Sequence, residues 1–287
     1  MRIDQLLVQR QLASTRSQAQ RLIADGVEWL QGEAWKRIAK NGDDVPENAE
    51  IRLLDDSEAR YVSRGGLKLE AALQHLGLSV KGFQCLDVGQ STGGFTDCLL
   101  QQGATLVAGV DVGSAQLHPS LRADPRVLCV EKLNARTLNA SDLIAAYADS
   151  TSDTGQFDID DAGDLADPVQ ADDGAAAQAD AAFVPAFDLI VVDLSFISQT
   201  LVLPALLPLL KTTGTLLSLV KPQFELQPGQ VGKGGIVKEE SLYAVVEQRL
   251  RECCADLGLS VTDWFDSPIA GGDGNREFFV AACKARA

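Results

Sequence analysis

The sequence is poor in the residues that bind metals or form disulfides. Its 287 residues hold two histidines and six cysteines. The cysteines, Cys85, Cys98, Cys129, Cys253, Cys254 and Cys283, fall at no CxxC or Cys/His spacing. Such a pattern excludes a zinc ribbon or a disulfide scaffold and points to buried reduced thiols, so no metal is implied. His75 and His118 have no evident acidic partner in the sequence, and His118 reads as structural. Long apolar runs are missing too. The densest, Leu201 to Leu210, is interrupted by Pro204 and Pro208, and the opening MRIDQLLVQRQ lacks the apolar stretch of a signal peptide. The expectation is a cytoplasmic protein with no stable membrane association.

Basic charge is also scarce: 25 Lys and Arg face 40 Asp and Glu, a net charge of −15. This balance argues against nucleic acid only until the charge is located, because phosphate binding needs local rather than global Lys and Arg. Ten of the aspartates, with no Lys or Arg among them, lie between Asp149 and Ala182, leaving −5 for the rest. That stretch is rich in Asp, Ala and Gly and poor in large apolar residues, a composition unable to offset its own ordering entropy. It is expected to be a mobile acidic insertion at 149–182. The remaining chain is 46% hydrophobic when counted with the whole, enough for one large domain over 61–287 and a small one over 1–60.

Within the small domain, Ile3, Leu6, Leu7 and Leu12, then Ala19, Leu22 and Ile23, recur at helical spacing and predict two short helices. Thr15 and Gln18 stand at capping-box spacing, Ser14 is an alternative N-cap, and Gly26 supplies a stop. A turn-rich β segment follows to about Leu54. Arg2, Arg10, Arg16 and Arg21 oppose the single acid Asp4, a local charge of +3. Each arginine alone reads as a solvated helix residue, but together they allow a basic face.

The large domain opens with a strand at Phe83 to Val88, a Gly89-Gln-Ser-Thr-Gly93-Gly94 loop, a helix, and a second strand ending near Asp111. This is the first β-α-β of a nucleotide-binding α/β sheet. Its GxxxGG spacing departs from the dinucleotide GxGxxG, and Asp87 stands just before the loop. A carboxylate there suits S-adenosyl-L-methionine, which brings an ammonium and a sulfonium, and would repel a pyrophosphate. Asp111 can accept the ribose hydroxyls of adenosine. It would serve NAD equally well, so an NAD-dependent oxidoreductase is the rival at this point. Further strands fit the runs from Val127, Phe187 to Asp193, Thr215 to Val220, Val261 to Phe265 and Glu277 to Cys283. The expected fold class is therefore α/β: a Rossmann-like sheet of about seven strands, the count of a methyltransferase, with a small N-terminal α+β domain.

Four ionisable residues stand at element ends: Lys68 in SRGGLKLE, Asp193 in IVVDLSFIS, Lys221 in LVKPQFE and Glu277 in GNREFFV. Strand ends face the ligand crevice of such a sheet. Their order resembles the Lys-Asp-Lys-Glu tetrad of FtsJ-type ribose 2′-O-methyltransferases. The longer motifs YVSRGGLKLEAAL, CLDVGQSTGGFTDCLLQQGA, DVGSAQLH and VGKGGIV resemble the TlyA family of hemolysin-A-like ribosomal RNA methyltransferases, with Gln90 where the family commonly has Ala. The first sixty residues resemble an S4 RNA-binding module, although Val27-Glu28-Trp29-Leu30-Gln31-Gly32 lacks its turn asparagine.

The resemblance implies an S-adenosyl-L-methionine-dependent enzyme acting on cytidine ribose 2′-hydroxyls, with ribosomal RNA or ribosomal subunits as partners. Catalysis is then expected from Lys68, Asp193, Lys221 and Glu277, with Lys221 the preferred base and, only if it stays charged, the stabiliser of a developing oxyanion. Asp87, Gly89, Ser91, Thr92, Gly93, Gly94, Asp111 and Asn134 are expected at the cofactor, Gly93 beside its amino-acid portion. Arg2, Arg16, Arg21 and Lys233 are expected at RNA. Two further rivals are a non-catalytic RNA-binding or ribosome-assembly factor and a membrane-active hemolysin; the sequence offers the latter no amphipathic basic helix.

Overall fold

The computed structural model describes residues 1–285 apart from 14, 33, 55–58, 153–182, 270 and 272–273. Ser14 and the acidic insertion beyond Ser152 therefore lie outside the described residues.

At the N-terminus, α1 (Ile3–Gln9) and α2 (Arg16–Gly26) are followed by β1 (Val27–Gln31), β2 (Ala34–Arg37) and β3 (Ile51–Leu53), an antiparallel sheet in the order β2-β1-β3. Ile3, Leu6, Leu7, Ala19, Leu22 and Ile23 bury the two apolar stripes in one core with Val27 and Ile38. Thr15 caps α2 by accepting from the Gln18 amide at 3.2 Å. The Gln18 side chain donates to the Tyr61 carbonyl at 3.2 Å, tying this module to the next.

The large sheet follows α3 (Arg64–Leu76). Its strands are β4 (Gln84–Val88), β5 (Leu106–Val110), β6 (Val127–Val130), β7 (Phe187–Val192), β8 (Leu210–Val220), β9 (Leu259–Asp266) and β10 (Phe278–Lys284). They lie in the order β6-β5-β4-β7-β8-β10-β9, parallel from β6 to β8, with β10 antiparallel to both its neighbours. The central strands read as unbroken apolar runs because both faces are covered. Alternate residues feed two cores. Cys85, Leu189, Val191 and Leu217 pack against Leu69, Phe95 and Leu99 of α3 and α4 (Gly94–Gln101). Leu86, Val88, Ile190 and Leu216 pack against Leu143, Leu203 and Leu206 from the helices that follow β6 and β7.

The remaining α-helices are α5 (Pro119–Arg122), α6 (Ala140–Ser152), α7 (Leu203–Leu206), α8 (Pro222–Glu225) and α9 (Ser241–Asp256), among the described residues. Leu143 lies on α6, and Leu203 and Leu206 on α7. α6 corrects the expected start of the insertion at Asp149, for the helix continues to Ser152 and Tyr147 stacks on Phe183 with ring centroids 4.6 Å apart. The strand order reverses at β4, whose neighbours β5 and β7 carry the chain in opposite directions across the sheet, and a crevice opens at the carboxyl ends there.

Candidate active site

Asp193 follows the last residue of β7, and Lys221 follows the last of β8. Because β10 runs antiparallel to β8 with Phe278 opposite Val220, Glu277, one residue before β10, comes opposite Lys221. Lys68 reaches the same place from α3. The structure thus gathers the four predicted residues into two ion pairs: Lys221 Nζ to Asp193 Oδ1 at 2.6 Å and Lys68 Nζ to Glu277 Oε2 at 2.5 Å. Lys221 also donates to Ser195 Oγ at 3.0 Å. Burial pushes the Glu277 carboxyl above its ordinary pKa; the nearby ammoniums of Lys68 and Lys221 oppose that shift, and Asp193 adds to it.

Two cavities meet at this point and share Gly89, Ser91 and Asp193. The first, about 490 Å³, is walled by Val112, Leu133, Ala135, Ile197 and Val202, with Asp111 and Asn134 on its lining. Asp111 accepts from the Ser91 amide at 2.8 Å on one oxygen and from the Gly113 amide at 2.7 Å on the other. Each oxygen keeps a further lone pair for a ligand hydroxyl. Asn134 accepts from the Arg136 amide at 3.0 Å, capping a short 3-10 turn. The second cavity, about 530 Å³, is lined by Thr92, Gly94, Lys68, Gln90, Arg64 and Arg21 among others.

Two of the expected cofactor residues, Asp87 and Gly93, line neither cavity, while Gly89 lines both. Asp87 lines neither cavity: it is buried beneath the loop, where Thr96 Oγ1 donates to its Oδ2 at 2.7 Å and Gln90 in turn donates to Thr96 at 2.9 Å. Its other oxygen is buried without a hydrogen-bond partner. Burial pushes the Asp87 pKa up to about 7, against the Thr96 hydrogen bond and with the nearby charges of Asp193 and Asp111. Gly93 has φ +94°, and a Cβ there would strike Leu117 and Leu121; Gly89 has φ +88°, and a Cβ would strike the Asp193 carbonyl. These glycines let the loop lie close on its neighbours, which the sequence alone cannot distinguish from ligand contact.

The N-terminal arginines divide. Arg2 donates to both oxygens of the fully buried Asp4, at 3.1 and 2.9 Å, and Arg16 donates to the same carboxylate at 2.9 Å. Arg10 bonds the carbonyls of Ala49 and Glu47. Arg21, by contrast, lines the second cavity beside Lys68. Lys233 stands exposed on the 3-10 turn Lys233–Gly235 and lines neither cavity. His75 has the acidic partner that the sequence did not reveal: its Nε2 lies 3.0 Å from Asp263 Oδ2, a contact made 188 residues apart. His118 caps α5 by accepting from the Ser120 amide.

Sequence reasoning passed over three residues here. Arg64, inside the SRGGLKLE motif, lines the second cavity. Asn275 is buried, accepts from the Val237 amide at 3.0 Å and donates to the Gly235 carbonyl at 2.9 Å, so it pins the glycine loop close to Glu277. Phe196, with φ +65° and 89% exposure, lines the first cavity. A non-glycine residue in that backbone region was the signal, and it is visible only in three dimensions.

A model of FtsJ-like methyltransferases matches residues 61–284, and a model of the S4 domain matches residues 1–26. The Bacillus subtilis protein YqxC is 38% identical over 279 residues, which are 97% of this chain and 84% of that one. A Mycobacterium tuberculosis protein named 16S/23S rRNA (cytidine-2′-O)-methyltransferase TlyA is 36% identical over 279 residues, 97% of this chain and 88% of that one. A solved Streptococcus thermophilus structure that carries a hemolysin name superposes with a TM-score of 0.66 at 36% identity, covering 100% of this chain and 89% of that one. Among the described residues, no helix is long and apolar enough to cross a membrane.

Proposed function

The chain belongs to the FtsJ-like methyltransferase family and, within it, to the TlyA group; from that premise we propose that it methylates cytidine ribose 2′-hydroxyls of ribosomal RNA with S-adenosyl-L-methionine. The observation that carries this reading is the pairing of Lys221 with Asp193, and of Lys68 with Glu277, where two cavities meet at the sheet's switch point.

The donor set fits the cofactor. Apolar walls at Leu133, Ala135, Ile197 and Val202 suit a purine, Asp111 retains acceptor capacity for ribose hydroxyls, and Asn134 lies on the same lining. Gly89, Ser91, Thr92 and Gly94 continue from there toward the tetrad and would hold the amino-acid portion. Gly93 and Asp87 serve the same site indirectly, by letting the loop pack and by holding Thr96. When bound, the cofactor supplies an electrophilic methyl group on a sulfonium. The protein's own task is to align the ribose oxygen and handle its proton.

The contacts of Lys221, a carboxylate at 2.6 Å and a hydroxyl that accepts from it, are those of an ammonium. They support the role of oxyanion stabiliser over that of base, with the proton leaving through Asp193 or water. Glu277 and Lys68 border this pair and hold the local charge in balance. Arg21, on the lining of the second cavity, supports entry of RNA from the side of the N-terminal module, and Lys233, which is exposed, is free of burial to meet a phosphate. Arg2 and Arg16, whose guanidiniums are engaged by Asp4, support the fold of that module rather than an RNA contact.

The test is to incubate the chain with S-adenosyl-L-methionine and purified ribosomal subunits and map ribose methylation. New 2′-O-methylcytidine in ribosomal RNA is expected. Cofactor binding and RNA binding without any methylated nucleotide would replace this reading with that of a non-catalytic RNA-binding factor.

A further inference from the structure

Four residues beyond Lys221, Glu225 ends α8 with its carboxylate buried at 3% exposure. Among the described residues no cation lies within ion-pair distance of that carboxylate; Arg249 bonds the residue's backbone carbonyl instead. Burial pushes the Glu225 carboxyl above its ordinary pKa, opposed by two hydrogen-bond donors and by the field of Arg249. Ser198 Oγ donates to Oε2 at 2.5 Å, and the Gln199 amide donates to Oε1 at 2.8 Å. The Gln199 side chain, also buried, donates to the Leu219 carbonyl at 2.7 Å and accepts from Ser218 Oγ at 2.8 Å.

These bonds fasten one end of a short strap. Its other end is fastened by Lys221, through the ion pair with Asp193 and the hydrogen bond to Ser195. Between the two fastenings run Leu194, Ser195, Phe196 and Ile197, all on the lining of the first cavity. The strap carries the φ of +65° at Phe196, whose ring lies 5.0 Å from that of Phe224, the neighbour of Glu225. A left-handed non-glycine residue persists only where its surroundings hold it, and here the segment 221–225 does so from both ends.

We propose that Glu225 is a positioning residue for methyl transfer: its carboxylate clamps Ser198 and Gln199, and thereby fixes both the Leu194–Ile197 wall of the cofactor cavity and the hold of Ser195 on Lys221. The proposal rests on the reading of that cavity as the S-adenosyl-L-methionine site. A carboxylate suits the task because it only accepts, and both its partners donate. An amide of the same shape offers one acceptor and a donor, so one arm of the clamp weakens while the volume is kept.

The experiment compares the wild-type full-length chain with Glu225→Gln, Ser198→Ala and Ser198→Thr. It measures S-adenosyl-L-methionine affinity by calorimetry, single-turnover methylation at saturating cofactor and RNA, and Tm. For Glu225→Gln the expected result is a cofactor Kd weaker by about tenfold and a several-fold slower turnover, with Tm unchanged or higher because a buried charge has gone. Ser198→Ala should move in the same direction, and Ser198→Thr, which keeps the hydroxyl, should restore most of the affinity. In the double variant Glu225→Gln with Ser198→Ala, the losses should fall short of additive. Kd and rate within twofold of wild type in Glu225→Gln overturn the proposal, as does a lower Tm with unchanged Kd. Failure of the wild-type chain itself to bind S-adenosyl-L-methionine would instead overturn the cofactor reading on which the clamp depends.

Discussion

In the N-terminal module Asp4 is sealed from solvent and receives three guanidinium hydrogen bonds, from Arg2 and Arg16. In the large module Glu277 is almost as buried but meets one ammonium, that of Lys68, beside an open cavity and within the field of Asp193. Those guanidinium bonds hold the Asp4 carboxyl down at about 2, whereas burial outweighs the single partner of Glu277 and pushes it up. Proximity of opposite charge therefore does not define a function. A carboxylate whose acceptor sites are filled by cations is committed to structure, and one that is buried but underfilled is left with charge and proton to exchange.

Breaking the underfilled side should have the largest effect. Lys221→Met keeps the apolar stem and removes the amine, and single-turnover methylation should fall by about 10²–10⁴-fold. Because Lys221 also fastens one end of the Leu194–Ile197 wall, cofactor affinity should weaken by no more than about tenfold and RNA affinity by only a few-fold, leaving most of the loss in the chemical step. A normal rate recovered by raising the RNA concentration would show that Lys221 binds phosphate.

Asp87 takes the comparison to its limit, a carboxylate 1% exposed and, among the described residues, without a paired cation. Its pKa of about 7 in the fold, against an ordinary 3.8, means that the folded protein keeps a proton the unfolded chain has released between those values. Stability should therefore decline as pH rises from about 4 to 7 and level off above, by a few kcal/mol at most. In Asp87→Asn that slope should flatten, as thermal melts at a series of pH values would reveal. An unchanged slope would mean that Asp87 is ionised throughout.

Asp4 should show the reverse sign. Its lowered pKa contributes stability that is present above about 4 and lost as pH falls toward about 2. Because the arginines are about half exposed, about 1–2 kcal/mol is expected after allowance for solvent screening. Hydrogen exchange of α1 and α2 amides in Asp4→Asn should be faster at neutral pH and insensitive to acid over that range.

The smallest effect sharpens the contrast among the arginines themselves. Arg16→Ala should lower protection of the N-terminal module and change methylation little once the protein is folded. Arg21→Ala should weaken RNA capture by about 1 kcal/mol, with a shallower salt dependence. Equal behaviour of the two variants would remove the distinction drawn from Asp4.

Much of this architecture was legible because parallel strands buried on both faces are written as plain apolar runs. LIVV before Asp193 and LLSLV before Lys221 mark both the strand and the end that carries the proposed catalytic residue. Charge partners were not legible. Arg2 and Arg16 read as a basic face because nothing local says that Asp4 is buried beneath them, and His75 finds Asp263 only after the sheet has formed. Glu225 looks like an ordinary helix acid until Ser198 and Gln199 are brought to it across the crevice. Loop glycines were legible as glycines but not by purpose: Gly93 yields to Leu117 and Leu121, whose proximity no spacing rule conveys.

The reversed strand β10 has a consequence for the order in which the site is made. Parallel strands present their last residues to the crevice, so Asp193 and Lys221 are in place when β7 and β8 are. An antiparallel strand presents its first residue there, and β10 enters between β8 and β9 only after β9 has been synthesised. A growing chain halted before Glu277 could thus complete the cofactor cavity's walls, all of them earlier than residue 203, while Lys68 still lacked its counter-charge. Cofactor capture would precede catalytic competence during synthesis, separated by the time taken to add the final hairpin.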